Sequence, residues 1–103
     1  MRNKLIYGLL FGLWFGIQKF PSQWLEVMTF NVRYDNPDDG ENRWEQRVSK
    51  VGAVLGYYEP DIVGFQEVLP RQFEQLKTML PRYGFYGKGR DEGGLGEASP
   101  IFF

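Results

Sequence analysis

Asn31 and Glu67 are the two side chains whose types and positions suggest chemistry. Each closes a short apolar segment, Met28-Thr-Phe-Asn-Val-Arg33 in one case and Asp61-Ile-Val-Gly-Phe-Gln-Glu67 in the other. Both segments read as buried strands, and one helix-length stretch separates them, which predicts a parallel βαβ unit. Parallel neighbours end on the same edge of a sheet, the edge where open α/β proteins place their ligands. An amide and a carboxylate should therefore meet there. A hard cation such as Mg²⁺, or Mn²⁺ in its place, takes one or two carboxylates, a neutral oxygen, waters and a substrate phosphate. Glu67, in line with Val63 and Phe65, supplies the carboxylate. The Asn31 amide suits a phosphate oxygen or a metal-bound water, so both residues are candidates for a metal site. The bland alternative is a turn hydrogen bond for the asparagine and plain solvation for the glutamate. Arg33, just past Asn31, is better placed than most cations of the chain to meet a phosphate.

The elements that must position these residues follow from periodicity. From Trp24 to Val32 one face carries Leu25, Val27, Thr29 and Asn31, and the other Glu26, Met28, Phe30 and Val32. Asn36-Pro37 and Asp39-Gly40 mark a polar turn between Arg33 and Arg43. Trp44 to Tyr58 reads as a helix, with Trp44, Val48, Val51, Leu55 and Tyr58 on one apolar stripe. Asn42 and Glu45 resemble a capping box at its start, and Pro60 stops it. The second strand runs from Ile62 to Val68. Pro70 suits the first turn of a second helix, whose Phe73, Leu76 and Leu80 share a face until Pro81. Tyr83–Tyr86 reads as a short strand, Gly84–Gly96 as a glycine-rich loop, and Ser99–Phe103 as a last apolar strand. The class is α/β, in the order β-α-β-α-β-β, within a single domain.

Composition narrows the chemistry. The chain has 103 residues, no cysteine and no histidine. Thiol catalysis, zinc–thiolate sites, disulfides and the usual neutral-pH base are excluded together. Carboxylates, amides, hydroxyls, Arg or Lys and a bound metal remain. Met1-Arg-Asn-Lys4 is a basic lead to an uncharged run, Leu5–Ile17, which Gln18–Gln23 ends. That run fits a signal-peptide core and falls short of the ~20 residues of a membrane span. Residues 1–22 are therefore expected to be a signal peptide or an uncleaved N-terminal anchor, with a buried helix as the structural alternative. The protein is expected to be exported, periplasmic or extracellular, or held at the membrane through residues 5–17. The leader holds Arg2, Lys4 and Lys19 and no acid, so removing it takes the 12 basic residues to nine against 13 acidic ones. A net charge of −1 becomes −4. Nothing there offers the basic face of a protein that coats nucleic acid.

Other segments have ordinary readings beside functional ones. Asp35-Asn-Pro-Asp-Asp-Gly40 lacks the spacing of a calcium loop, because Pro37 occupies a ligand position and Gln46 stands where a bidentate Glu is needed. Gly87-Lys-Gly-Arg90 lacks the spacing of a phosphate loop and reads as a connector, though Lys88 and Arg90 are within the class of phosphate-binding side chains. Glu97, before Pro100-Ile-Phe-Phe103, either faces the substrate or is solvated at a strand edge.

Taken together, Thr29-Phe-Asn-Val-Arg-Tyr-Asp-Asn-Pro-Asp-Asp-Gly-Glu-Asn-Arg-Trp44 and Pro60-Asp-Ile-Val-Gly-Phe-Gln-Glu-Val68 resemble the opening of the endonuclease/exonuclease/phosphatase superfamily. The similarity runs from about Leu25 to Phe103 and leans toward a bacterial branch near the deadenylase-like members. It implies the N-terminal part of a DNase I-like four-layer α/β sandwich over residues 23–103. It implies catalytic roles for Asn31 and Glu67, with Glu67 the principal metal ligand. The family's Asp-x-Asn pair and its histidines have no counterpart here. The expected function is a Mg²⁺-dependent phosphoesterase acting on phosphodiesters, as a nuclease or exonuclease does, or on phosphomonoesters. This segment alone is expected to be inactive. The substrate would be a nucleic acid, nucleotide, lipid headgroup or sugar phosphate, and no protein partner is indicated. The alternative is a non-catalytic interaction module that keeps part of the fold.

Overall fold

The computed structural model describes residues 5–10, 13–20 and 24–103, with burial in the first two stretches described only at Gly16 and Ile17. The basic lead and the junction expected at residues 21–23 lie outside the described residues. Strands β1 (Leu5–Leu10), β2 (Leu13–Phe20) and β3 (Leu25–Asn31) are followed by helix α1 (Trp44–Tyr58), β4 (Ile62–Gln66) and α2 (Pro70–Met79). The short strands β5 (Phe85–Tyr86) and β6 (Ile101–Phe102) complete the order. They form one six-stranded sheet, β1-β2-β3-β4-β6-β5. The β3–β4 pair is parallel, and α1 makes the crossover, as the sequence predicts.

Alternation decides what each strand buries. Met28, Phe30 and Val32 of the first parallel strand and Val63 and Phe65 of the second point to one side. There they pack with Trp44, Val51 and Leu55 of α1, Leu76 of α2 and Phe102 of β6. Both helices therefore cover the same sheet face. Phe65 lies at the centre, 6.1 Å from the Phe30 ring and edge-on to Phe102 at 5.4 Å. On the opposite face Tyr86 and Ile101 are exposed.

The apolar run Leu5–Ile17 does not form the buried helix of the alternative reading. Where described, it is extended, in β1 and β2, and β2 pairs antiparallel with β3 from Trp14–Asn31 to Phe20–Leu25. Gly8 and Gly16 weaken a helix here, and the outer edge of β3 offers a row of backbone groups that needs a partner. Among the described residues no helix is long and apolar enough to cross a membrane.

The start of α1 also differs from the expected capping box. Its N-cap is Arg43, with no side-chain cap. Arg47 instead turns back and donates from Nε to the Asn42 carbonyl at 2.6 Å. At the other end Glu59 takes a left-handed conformation and its N–H closes on Leu55 O, a C-terminal turn that Pro60 then terminates. In α2, Pro70 occupies the first turn and Gln72 accepts the Leu69 N–H at 3.0 Å, which is half of a capping box.

Candidate active site

The parallel register pairs Asn31 with Gln66, so both strands end together. Strict alternation would put Asn31 and Gln66 on the open face and Glu67 on the helix face beside Phe65. A β-bulge prevents this. Phe65 N–H bonds to Pro100 O and Val68 N–H to Ala98 O, so three steps on one strand face two on the other. Phe65 and Val68 are both fully buried, and the extra residue between them turns Glu67 to the other side. Glu67 adopts φ 61, the left-handed region that non-glycine residues rarely enter. Glu67 is therefore not in line with Val63 and Phe65. The bulge brings it to Asn31, whose Nδ2 donates to Glu67 Oε2 at 2.5 Å.

Asn31 is fixed from its other side as well. The Arg33 N–H donates to Asn31 Oδ1 at 2.9 Å. A backbone N–H can only donate, so Oδ1 must face it and Nδ2 must face Glu67. In this arrangement the asparagine orients the carboxylate, and its oxygen is engaged by the backbone. Arg33 makes that bond from a second left-handed backbone position, φ 60.

The Arg33 guanidinium does not stand free at the edge. It grips Asp39 side-on, Nε to Oδ2 at 2.9 Å and Nη2 to Oδ1 at 2.8 Å. This pairing holds the Asp39 carboxyl below the usual carboxylate range and raises the Arg33 pKa further. It fastens the turn Pro37–Asn42 to the strand end; Asn36 Oδ1 caps that turn by accepting the Asp38 N–H. Glu97 is engaged elsewhere: its Oε2 meets Arg90 Nη2 at 2.8 Å, and Arg90 N–H bonds the Glu97 carbonyl. Those two contacts close the base of the glycine-rich loop.

Two buried polar side chains behind the edge were not apparent as functional from the sequence. Arg47 donates from Nη1 to Val32 O at 2.6 Å and from Nη2 to Arg33 O at 3.3 Å. Burial lowers its pKa, with Asp39 opposing that effect. Gln72, fully buried, bonds the loops after both β3 and β4. A signal for each was present: Arg47 stands three residues after Trp44 and four before Val51, and Gln72 four before Leu76, all on buried helical faces.

Among the described residues no three His, Cys, Asp or Glu side chains converge as a ready-made metal cage. A cation at this edge would have Glu67 as its protein carboxylate and take its remaining oxygens from water and phosphate. That donor pattern fits Mg²⁺, which keeps several waters and uses few carboxylates.

The sequence profile of the endonuclease/exonuclease/phosphatase family matches residues 28–102, both strand ends included. An endonuclease/exonuclease/phosphatase from Bacteroides vulgatus superposes with a TM-score of 0.69 at 49% identity, over 73% of this chain and 29% of that one. The mannosyl-6-phosphatase of Bacteroides thetaiotaomicron gives 0.71 at 36% identity, over 77% and 31%. A functionally unknown conserved protein from Enterococcus faecalis gives 0.69 at 27% identity, over 75% and 30%. No curated protein matches the sequence. The chain thus spans 29–31% of the length of these solved relatives. With its parallel strand pair and its profile match over residues 28–102, the chain belongs to the endonuclease/exonuclease/phosphatase family.

Proposed function

We propose that this chain contributes the Asn31–Glu67 edge of a divalent-metal-dependent phosphoesterase. The observation that carries the reading is the 2.5 Å bond between those two side chains, at the carboxyl ends of two parallel strands. A left-handed residue held at a bulge is the kind of local cost that functional sites retain. Glu67 would hold the cation and Asn31 would keep its carboxylate aimed at the open edge. Bound Mg²⁺ would supply charge neutralisation on the phosphate and the departing oxygen. Mn²⁺ is the natural substitute.

A phosphomonoester on a sugar is favoured over a nucleic acid. One relative is a mannosyl-6-phosphatase. Beyond residue 22 the chain also carries more acid than base, which suits a small anion better than a polyanion. Export belongs to the same proposal and rests on the basic lead and uncharged run at residues 1–17; fractionation of cells expressing the protein checks it.

The test is hydrolysis of mannose 6-phosphate and of bis-p-nitrophenyl phosphate, with and without Mg²⁺. It uses protein made from everything the reading frame encodes, alongside Glu67→Gln. Mg²⁺-dependent release of phosphate from the monoester, or of p-nitrophenol from the diester, that falls at least roughly 100-fold in the variant supports the reading. Glu67→Gln at the parent rate contradicts it. No hydrolysis of either ester by the parent protein favours a non-catalytic module.

A further inference from the structure

We infer that Gln72 is a positioning residue that sets the geometry of the Asn31–Glu67 pair from beneath; this rests on the reading of that pair as the active edge. Gln72 lies on α2, fully buried, and its hydrogen bonds go to neither side chain of the pair. Its amide is nevertheless joined to the loops that follow both of them. Oε1 accepts the Asp35 N–H at 3.2 Å and the Leu69 N–H at 3.0 Å, and Nε2 donates to the Arg33 carbonyl at 2.9 Å. All three partners are backbone groups, so the orientation of the amide is determined.

The route to the site is short. The Arg33 carbonyl is held by Gln72 and, at 3.3 Å, by Arg47. Two buried donors on one carbonyl hold the Arg33 peptide where its residue takes φ 60. From that backbone the Arg33 N–H holds Asn31 Oδ1, which leaves Nδ2 facing Glu67. On the other strand, the Leu69 N–H that Gln72 accepts lies two residues after Glu67, next to the bulge. One side chain thus fixes both strand ends at a set separation. A buried amide with one donor and two acceptances is needed, and no apolar residue supplies either. Outer partners of this sort commonly change metal affinity 10- to 100-fold when removed.

The test uses ¹⁵N-labelled protein. Gln72→Met keeps the volume and removes all three bonds. The Asn31 side-chain amide and the Arg33 N–H should shift and exchange faster, while the Gly84 N–H, bonded to Phe103 at the far edge, stays in place. Affinity for Mn²⁺ should fall about 10-fold. In an Asn31→Ala background the same change should lower Mn²⁺ affinity by clearly less, because the route through Arg33 and Asn31 is cut and only the Leu69 side remains. Should Gln72→Met fail to fold, Gln72→Glu, ionised, keeps both acceptances and loses the donation, so Arg33 and Asn31 should move while Asp35 and Leu69 hold. Unmoved Asn31 and Arg33 signals overturn the positioning role, whatever the metal result. An equal Mn²⁺ loss with and without Asn31 overturns it too. Parent Mn²⁺ affinity that Glu67→Gln leaves intact overturns the active-edge reading instead, with the amide signals still deciding the role of Gln72.

Discussion

Left-handed backbone at Arg33 and Glu67 is where two ordinary strand ends become a site. Each such residue costs roughly 1–2 kcal/mol relative to an extended one, and here both costs serve one hydrogen bond. Replacing Glu67 by Gln leaves an oxygen for the Asn31 Nδ2 to bond. Stability of that variant, read by thermal or denaturant unfolding, should change by less than about 1 kcal/mol while metal-dependent function is lost. Glu67→Gly should also fold, since glycine tolerates φ 61 and offsets the lost bond. A drop well above 1 kcal/mol in either would mean that the carboxylate is structural. The types of these residues were legible in the sequence, because an amide and a carboxylate closed two apolar runs. The direction of Glu67 was not. Period-two alternation places it beside Phe65, and the bulge that turns it away depends on pairing with residues 98–100, thirty positions distant in the chain.

At the scale of elements, the turn after β3 depends on the Arg33–Asp39 pair. Asp39 has a folded pKa held below its unfolded value by the Arg33 hydrogen bonds. Its contribution is therefore present above the unfolded pKa, near 3.9, and is lost as pH falls through the lower folded value. Asp39→Asn should unfold at a lower temperature than the parent at pH 7. That difference should shrink steadily below about pH 4. A difference that stays constant to pH 2 would show that the charge is not the cause. The glycine-rich loop depends on close approach instead. A Cβ on Gly89 would lie 2.2 Å from the carbonyl oxygens of Gly94 and Leu95, and Gly96 adds φ +76 with Asp91 against it. Gly96→Ala should cost on the order of 1 kcal/mol and loosen the Arg90–Glu97 closure, seen as faster amide exchange at Arg90. Helices α1 and α2 were legible from their stripes, the ends of α1 included. Arg47 and Gln72 were not, since a polar residue on a helix reads as solvated until the loops that it bonds are in place. The run at residues 5–17 carried no alternation at all, so its extended form could not be read from periodicity.

At the scale of the whole molecule, the described residues place one helical layer on one sheet face, with Tyr86 and Ile101 exposed on the other. The core beneath the Asn31–Glu67 edge is centred on Phe65, flanked by Phe30 and Phe102. Phe65→Ala should cost roughly 3–5 kcal/mol, and in a small domain that is a large share of total stability. Urea unfolding would read it, and a loss under 1 kcal/mol would contradict the packing described. The α/β class, the order of elements from β3 onward and the parallel β3–β4 pair were legible from local period and spacing. The sheet edge beyond β3 was not, since pairing there depends on a partner rather than on local pattern. Titration of the ¹⁵N-labelled protein with Mn²⁺ tests the central claim across the whole molecule at once. The signals of Asn31, Arg33, Glu67 and Val68 should broaden first and together, and Glu67→Gln should abolish the effect. First broadening at the Arg90–Glu97 loop or at the Asp35–Asp39 turn, with the Glu67→Gln protein unchanged, would contradict it.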